Sequence, residues 1–159
     1  MEVGGIDLFG PIRETPRKNS YVLTITCLFS KWVSAYPLQD KQATTVADKL
    51  VEFFAVFGPP KAIISDHGTE FINSVKAVLL SKFQISHRVA GVRHPQSNGQ
   101  DERTNGTMKH CLAKLVNDRQ SDWDEFLSLT VFAINSTKQA STKISPYKIL
   151  ELSFGSRKL

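Results

Sequence analysis

The hydrophobic pattern changes period near residue 40, and that one change restricts the chain to folds that combine a sheet with helices. Before it lie three strand-length stretches, residues 3–9 (VGGIDLF), 21–28 (YVLTITCL) and 32–38 (WVSAYPL). They are rich in β-branched and apolar residues, and short turns separate them, the first marked by Gly10, Pro11, Pro16 and Asn19. Short connections predict an antiparallel meander. Pro37 predicts an edge position or a strand end for the third stretch. After the change, Ala43, Val46, Ala47, Leu50, Phe53, Phe54 and Phe57 recur at helical spacing. They predict one long amphipathic helix, stopped by Gly58-Pro59-Pro60.

The remaining elements follow from the same signals. Residues 61–65 predict a short buried strand that stops at Asp66, followed by a helix capped by Thr69 and running to about Lys82. Residues 85–89 predict a fifth strand and residues 91–98 a polar loop. A long helix is expected from near Gly99, burying Met108, Leu112, Leu115 and Val116. Ser121, with Asp124 three positions on, predicts a capping box for the next helix. Pro146 opens a last short helix. The order reads as an α/β fold with a five-stranded mixed sheet flanked by helices, in a single domain over residues 1–159.

Composition narrows the function classes. No apolar run approaches the roughly 18 residues needed to span a bilayer, and no secretory leader is visible at Met1-Glu2-Val3-Gly4-Gly5. Twenty Lys and Arg against 15 Asp and Glu give a net charge of +5, which modestly favours an anionic partner such as nucleic acid. Cys27 and Cys111 are expected to be reduced core thiols of an intracellular protein. The four histidines lack the partner spacing of a structural zinc site.

Chemistry is expected where acidic side chains stand at strand ends. Asp7 interrupts the apolar run Ile6-Asp7-Leu8-Phe9, and Asp66 directly follows Ile63-Ile64-Ser65. If the first and fourth strands are neighbours, the two carboxylates converge. They then repel each other unless a cation lies between them, and a hard ion such as Mg²⁺ suits such oxygen ligands. Taken alone, Asp66 reads equally well as a cap or turn residue. Glu102 sits in the first turn of the long helix, with 35 residues between it and Asp66, and taken alone reads as a glutamate favoured by the helix dipole.

A resemblance adds to these readings. The segments Gly5-Ile-Asp-Leu-Phe-Gly-Pro11, Phe29-Ser-Lys-Trp32, Ala35-Tyr-Pro-Leu38, Phe57-Gly-Pro-Pro60, Ile64-Ser-Asp-His-Gly-Thr-Glu-Phe71, His94-Pro-Gln-Ser-Asn-Gly-Gln100, Glu102-Arg-Thr-Asn105, Trp123-Asp124 and Ser145-Pro-Tyr147 cover essentially the whole chain in order. Together they resemble the catalytic core of the retroviral integrase superfamily, and most closely the integrases of gypsy-type long-terminal-repeat retrotransposons. The resemblance implies a ribonuclease H-like fold and a metal triad of Asp7, Asp66 and Glu102 holding two Mg²⁺ (or Mn²⁺) ions. It implies 3′-end processing and strand transfer of DNA by two-metal phosphoryl transfer, with element ends and target DNA as partners and no small-molecule cofactor. It also implies a mobile active-site loop at residues 94–100, with Gly99 allowing the backbone to flex, DNA contacts from Gln96 and Lys109, a homodimer, and a nuclear location. Asn105, one helical turn after Glu102, would orient that carboxylate or a DNA phosphate. Relatives carry a zinc-binding module before the core and a DNA-binding module after it. Neither is expected within these residues, so the core by itself should hold DNA weakly.

Three positions depart from the pattern. Cys27 stands where many relatives have an acidic residue, Asp101 where an apolar or small one is commoner, and Gly106 where some place a basic DNA contact. The first leaves the triad intact; the other two weigh on DNA affinity. The alternatives are a host protein derived from such an element, keeping the fold and DNA or protein binding without integration, and a pure interaction module that handles no DNA. A ribonuclease H proper fits the loop and helix motifs less well.

Overall fold

The computed structural model describes residues 3–65, 68–83, 90–91 and 95–155, and for residues 95–102 it describes the backbone alone. Strands β1 (Val3–Phe9), β2 (Tyr21–Cys27) and β3 (Val33–Leu38) form the expected meander. They are followed by α1 (Ala43–Phe57), β4 (Ala62–Ile64), α2 (Gly68–Phe83), β5 (Ala90–Gly91), α3 (Pro95–Leu115), α4 (Trp123–Ser136) and α5 (Pro146–Gly155). The sheet has five strands in the order β3-β2-β1-β4-β5. β2 pairs antiparallel with β1 and with β3, whereas β4 runs parallel to both β1 and β5. Pro37 lies on an edge strand, as its missing N–H requires.

Alternation along the strands feeds two cores. Ile6, Leu23, Ile25 and Ile63 point to one face and pack with Val46, Leu50, Phe53, Val75 and Leu79 of α1 and α2. Phe9, Val22 and Val33 point to the other and pack with Met108, Leu112, Trp123, Leu127 and Ile134 of α3 and α4. The helix predicted from Ala43 to Phe57 is α1, and Gly58 closes it at φ 74° with its N–H on the Phe54 carbonyl. None of the described helices is long and apolar enough to cross a membrane.

Several expectations need correction. α3 begins at Pro95, not near Gly99, so residues 95–98 of the predicted loop are helix and Gly91 belongs to β5. Proline suits a first helical position, where its missing N–H costs nothing. The two turns that follow are polar on every side, so no 3.6-residue period announces them. α2 begins at Gly68, which puts Thr69 inside its first turn instead of at the cap. Asp122, not Ser121, is the N-cap residue of α4, and it makes no side-chain capping bond. The Asp122 carboxylate accepts from the Asn117 backbone N–H instead, 3.0 Å away. Cys27 and Cys111 are free thiols, but both are half-buried. The strand predicted at residues 85–89 lies outside the described residues; the strand seen at this point is Ala90–Gly91.

The polar segment between β1 and β2 is tied to α4. The Asp124 carboxylate accepts from the Thr15 hydroxyl and the Asn19 amide, each at 2.8 Å, and the Trp123 indole N–H donates to the Arg13 carbonyl at 2.7 Å. These bonds hold the loop that leaves β1 two residues after Asp7. At the far edge of the sheet, the buried Asn135 side chain of α4 meets Val33 of β3. It accepts from the Val33 N–H at 2.9 Å and donates to the Val33 carbonyl at 2.7 Å.

Candidate active site

Asp7 is the polar member of an otherwise apolar strand, and the alternation of β1 turns it toward α3, on the same face as Phe9. Its two carboxylate oxygens are held separately. Oδ1 accepts from the Leu8 backbone N–H at 2.8 Å, and Oδ2 accepts from the side-chain amide of Asn105. Each carboxylate oxygen thus has a protein donor that orients it. A hard cation favours oxygen donors of this kind, so the Asp7 carboxylate fits the metal role expected of it.

The sequence left Asn105 two roles, at Glu102 or at a DNA phosphate. The structure adds a bond to a different carboxylate, that of Asp7, while the Glu102 side chain lies outside the described residues. Asn105 is buried at 6% exposure, and its carbonyl oxygen accepts from the Thr24 hydroxyl at 3.2 Å. Thr24 is itself buried and lies directly opposite Asp7 in the β1–β2 register. Sequence reasoning missed Thr24. The available signal was a hydroxyl inside the run Tyr-Val-Leu-Thr-Ile-Thr-Cys, on a strand adjacent to an unexplained aspartate.

Lys109 is one turn further along α3 and is exposed. Its ammonium stands 4.9 Å from the centre of the Phe9 ring, two residues along β1 from Asp7. Phe9, Ile12, Arg13, Lys109 and Trp123 are among the residues lining a mostly apolar cleft of about 190 Å³, in which Arg13 and Lys109 are the two cations. On the other face of the sheet, burial and then the nearby Glu52 carboxylate push the Tyr36 hydroxyl above its ordinary pKa.

The other members of the expected triad are placed less completely. β1 and β4 are neighbours, as convergence requires, and their register pairs Gly5 with Ile64, two residues short of Asp7 and of Asp66. Asp66 lies outside the described residues. Glu102 is on α3, one turn before Asn105, and Gln96 is in the first turn of the same helix; both side chains are outside the described set. Among the described residues, no three His, Cys, Asp or Glu side chains come together.

Comparison with known proteins places this arrangement. The model of the integrase core domain matches residues 4–95, more than half of the chain. The chain belongs to the integrase core domain family. The match spans Asp7 and Asp66 and stops short of Glu102. Gypsy retrotransposon integrase-like protein 1 of Homo sapiens is 35% identical to this integrase core over 143 residues, which are 89% of the chain and 27% of that protein. The retrovirus-related Pol polyprotein from transposon 412 of Drosophila melanogaster is 32% identical over 146 residues, 91% of the chain and 12% of the polyprotein. The integrase core thus spans 27% or less of these two relatives. Among solved structures, the HTLV-2 integrase catalytic core domain in complex with magnesium superimposes with a TM-score of 0.69 at 17% identity, covering 93% of this chain and 95% of that one. The shared fold is ribonuclease H-like, a mixed sheet flanked by helices.

Proposed function

We propose that this integrase core catalyses divalent-metal-dependent processing and joining of DNA 3′ ends. The observation that carries the reading is the Asp7 carboxylate, oriented by two donors on the strand next to β4, in a chain of the integrase core family. Asp7, Asp66 and Glu102 are the oxygen ligands that the reading assigns to two Mg²⁺ or Mn²⁺ ions. Such a pair activates an attacking water or DNA 3′-hydroxyl and offsets charge on the leaving oxygen. The protein's own part is positioning. Leu8 and Asn105 fix Asp7, while Lys109 and Gln96 engage the phosphates of the DNA end. No side chain has to become a covalent nucleophile. A reaction on chromosomal DNA would place the protein in the nucleus.

The reading includes pairing of two cores through the outer faces of α4 and α5, where Leu129, Phe132, Tyr147 and Leu152 are exposed.

The decisive experiment is strand cleavage and rejoining on a branched DNA substrate in Mg²⁺ and in Mn²⁺, with Glu102→Gln and Asp7→Asn as controls. Metal-dependent product is expected from the unaltered chain and none from either variant. Product that survives both substitutions would remove the triad from the chemistry. No product in either metal, with this chain and with a longer one carrying its flanking sequence, would favour a second reading. That reading is a host-resident descendant that binds DNA or protein without integrating anything. It is favoured by the mammalian relatives named as integrase-like proteins, and salt-dependent DNA binding would tell a DNA binder from a pure protein-interaction module.

A further inference from the structure

Three side chains on three elements form one directed chain of hydrogen bonds beside the candidate site: the Thr24 hydroxyl, the Asn105 amide and the Asp7 carboxylate. Its sense follows from what each group can do. An ionised carboxylate only accepts, so the part of Asn105 that faces Asp7 must be the NH₂. The amide carbonyl is then turned toward Thr24, and the hydroxyl must donate to it. Reversing the amide would set its carbonyl oxygen against the carboxylate, two acceptors face to face. Thr24 can also reach the Asp7 backbone carbonyl, at 3.4 Å against 3.2 Å to Asn105, and both bonds tie it to the same pair of residues. Both Thr24 and Asn105 are buried, so water is a poor substitute for either bond.

We propose that Thr24 is a positioning residue: its hydroxyl locks the amide of Asn105 in the orientation that presents the NH₂ to Asp7, and so sets the direction in which Asp7 offers its oxygens to a divalent cation. The proposal rests on the metal-dependent reading above. It accounts for one of the two buried threonine hydroxyls of β2, the one opposite Asp7. It also gives the residues of α3 different work: the Asn105 amide serves the Asp7 carboxylate, while Lys109 and Gln96 engage phosphate.

Two substitutions separate the hydroxyl from the packing. Thr24→Val keeps the shape and removes the donor, and Thr24→Ser keeps the donor. Thr24→Ala supplies the same deletion if the valine variant does not fold, as judged by its melting curve. Mn²⁺ binding is measured by isothermal titration calorimetry. Thr24→Val is expected to weaken it about three- to tenfold, the worth of one neutral hydrogen bond, with Thr24→Ser within about twofold of the parent. The side-chain NH₂ resonances of Asn105 in ¹⁵N-labelled protein are expected to move in the valine variant and stay in place in the serine variant. With a DNA substrate, kcat falls and KM for DNA holds. Unchanged Asn105 resonances and Mn²⁺ affinity in a folded donor-less variant would overturn the proposal, as would serine failing to restore both. If the parent binds no Mn²⁺, the metal-dependent reading fails by itself, and the Asn105 resonances still decide whether Thr24 orients the amide.

Discussion

Gly10 leaves β1 with φ at 138°, a value that residues with a Cβ rarely adopt. A Cβ added there would stand 2.7 Å from the Ser20 carbonyl oxygen and 2.7 Å from the Tyr21 ring. The first of these neighbours is backbone and cannot turn aside. Gly10→Ala is therefore expected to destabilise the fold by about 2–4 kcal/mol, from backbone strain and a steric clash together, measured by urea denaturation. A loss under about 0.5 kcal/mol would show that the β1–β2 segment rearranges freely. At this scale the sequence exposed Asp7, since a carboxylate among Ile6, Leu8 and Phe9 has no local reason to be there. It could not expose the bond between Asn105 and Asp7. Spacing along α3 brings Asn105 near Glu102, but which strand residue lies beneath it depends on where the helix crosses the sheet, and that is settled by the packing of Met108 and Leu112.

Elements were legible in proportion to their amphipathicity. α1 carries an unbroken apolar stripe and a Gly-Pro-Pro stop, and its bounds match the pattern. α3 acquires its stripe only where it meets the sheet, so the polar turns from Pro95 onward read as loop. At the start of α4 the local rule of a capping box was overridden by tertiary structure. Asp124 spends its lone pairs on Thr15 and Asn19 and is almost wholly buried, with Oδ1 lacking a hydrogen bond and compensated by the Arg17 guanidinium at 3.5 Å. Asp124→Ala strands two buried or half-buried donors and is expected to cost about 2–4 kcal/mol in thermal or chemical unfolding. Arg17→Ala, at a side chain 61% exposed, is expected to cost under about 1 kcal/mol. Equal losses would mean that the ion pair, not the hydrogen bonds, anchors the segment.

For the whole molecule, apolar area that α4 and α5 leave uncovered is the feature that folding alone does not account for. Leu129, Phe132 and Leu152 are each more than half exposed, and the Phe132 and Tyr147 rings lie 5.8 Å apart. Contiguous apolar surface on a folded domain marks an interaction site. Sedimentation velocity is expected to show a concentration-dependent dimer that Phe132→Lys converts to monomer without altering the melting temperature. A parent chain that stays monomeric at about 100 µM, a concentration at which a standard interface associates, would rule this surface out as the pairing face. The order of strands and helices along the chain was readable from the sequence. The identity of the face left bare was not, because it depends on which side of α4 the sheet occupies.

Asn135 has a consequence beyond anchoring α4. The outer rim of a sheet is a template on which a foreign strand can be laid down, residue by residue. At Val33 that template is already read: one amide side chain supplies the donor and the acceptor that an incoming backbone would have supplied. An invading peptide would find its first rung occupied and would have to dislodge a core helix to begin. Along this rim, stickiness is thereby shifted toward side-chain surfaces, where partners dock and leave, and away from the backbone of Val33.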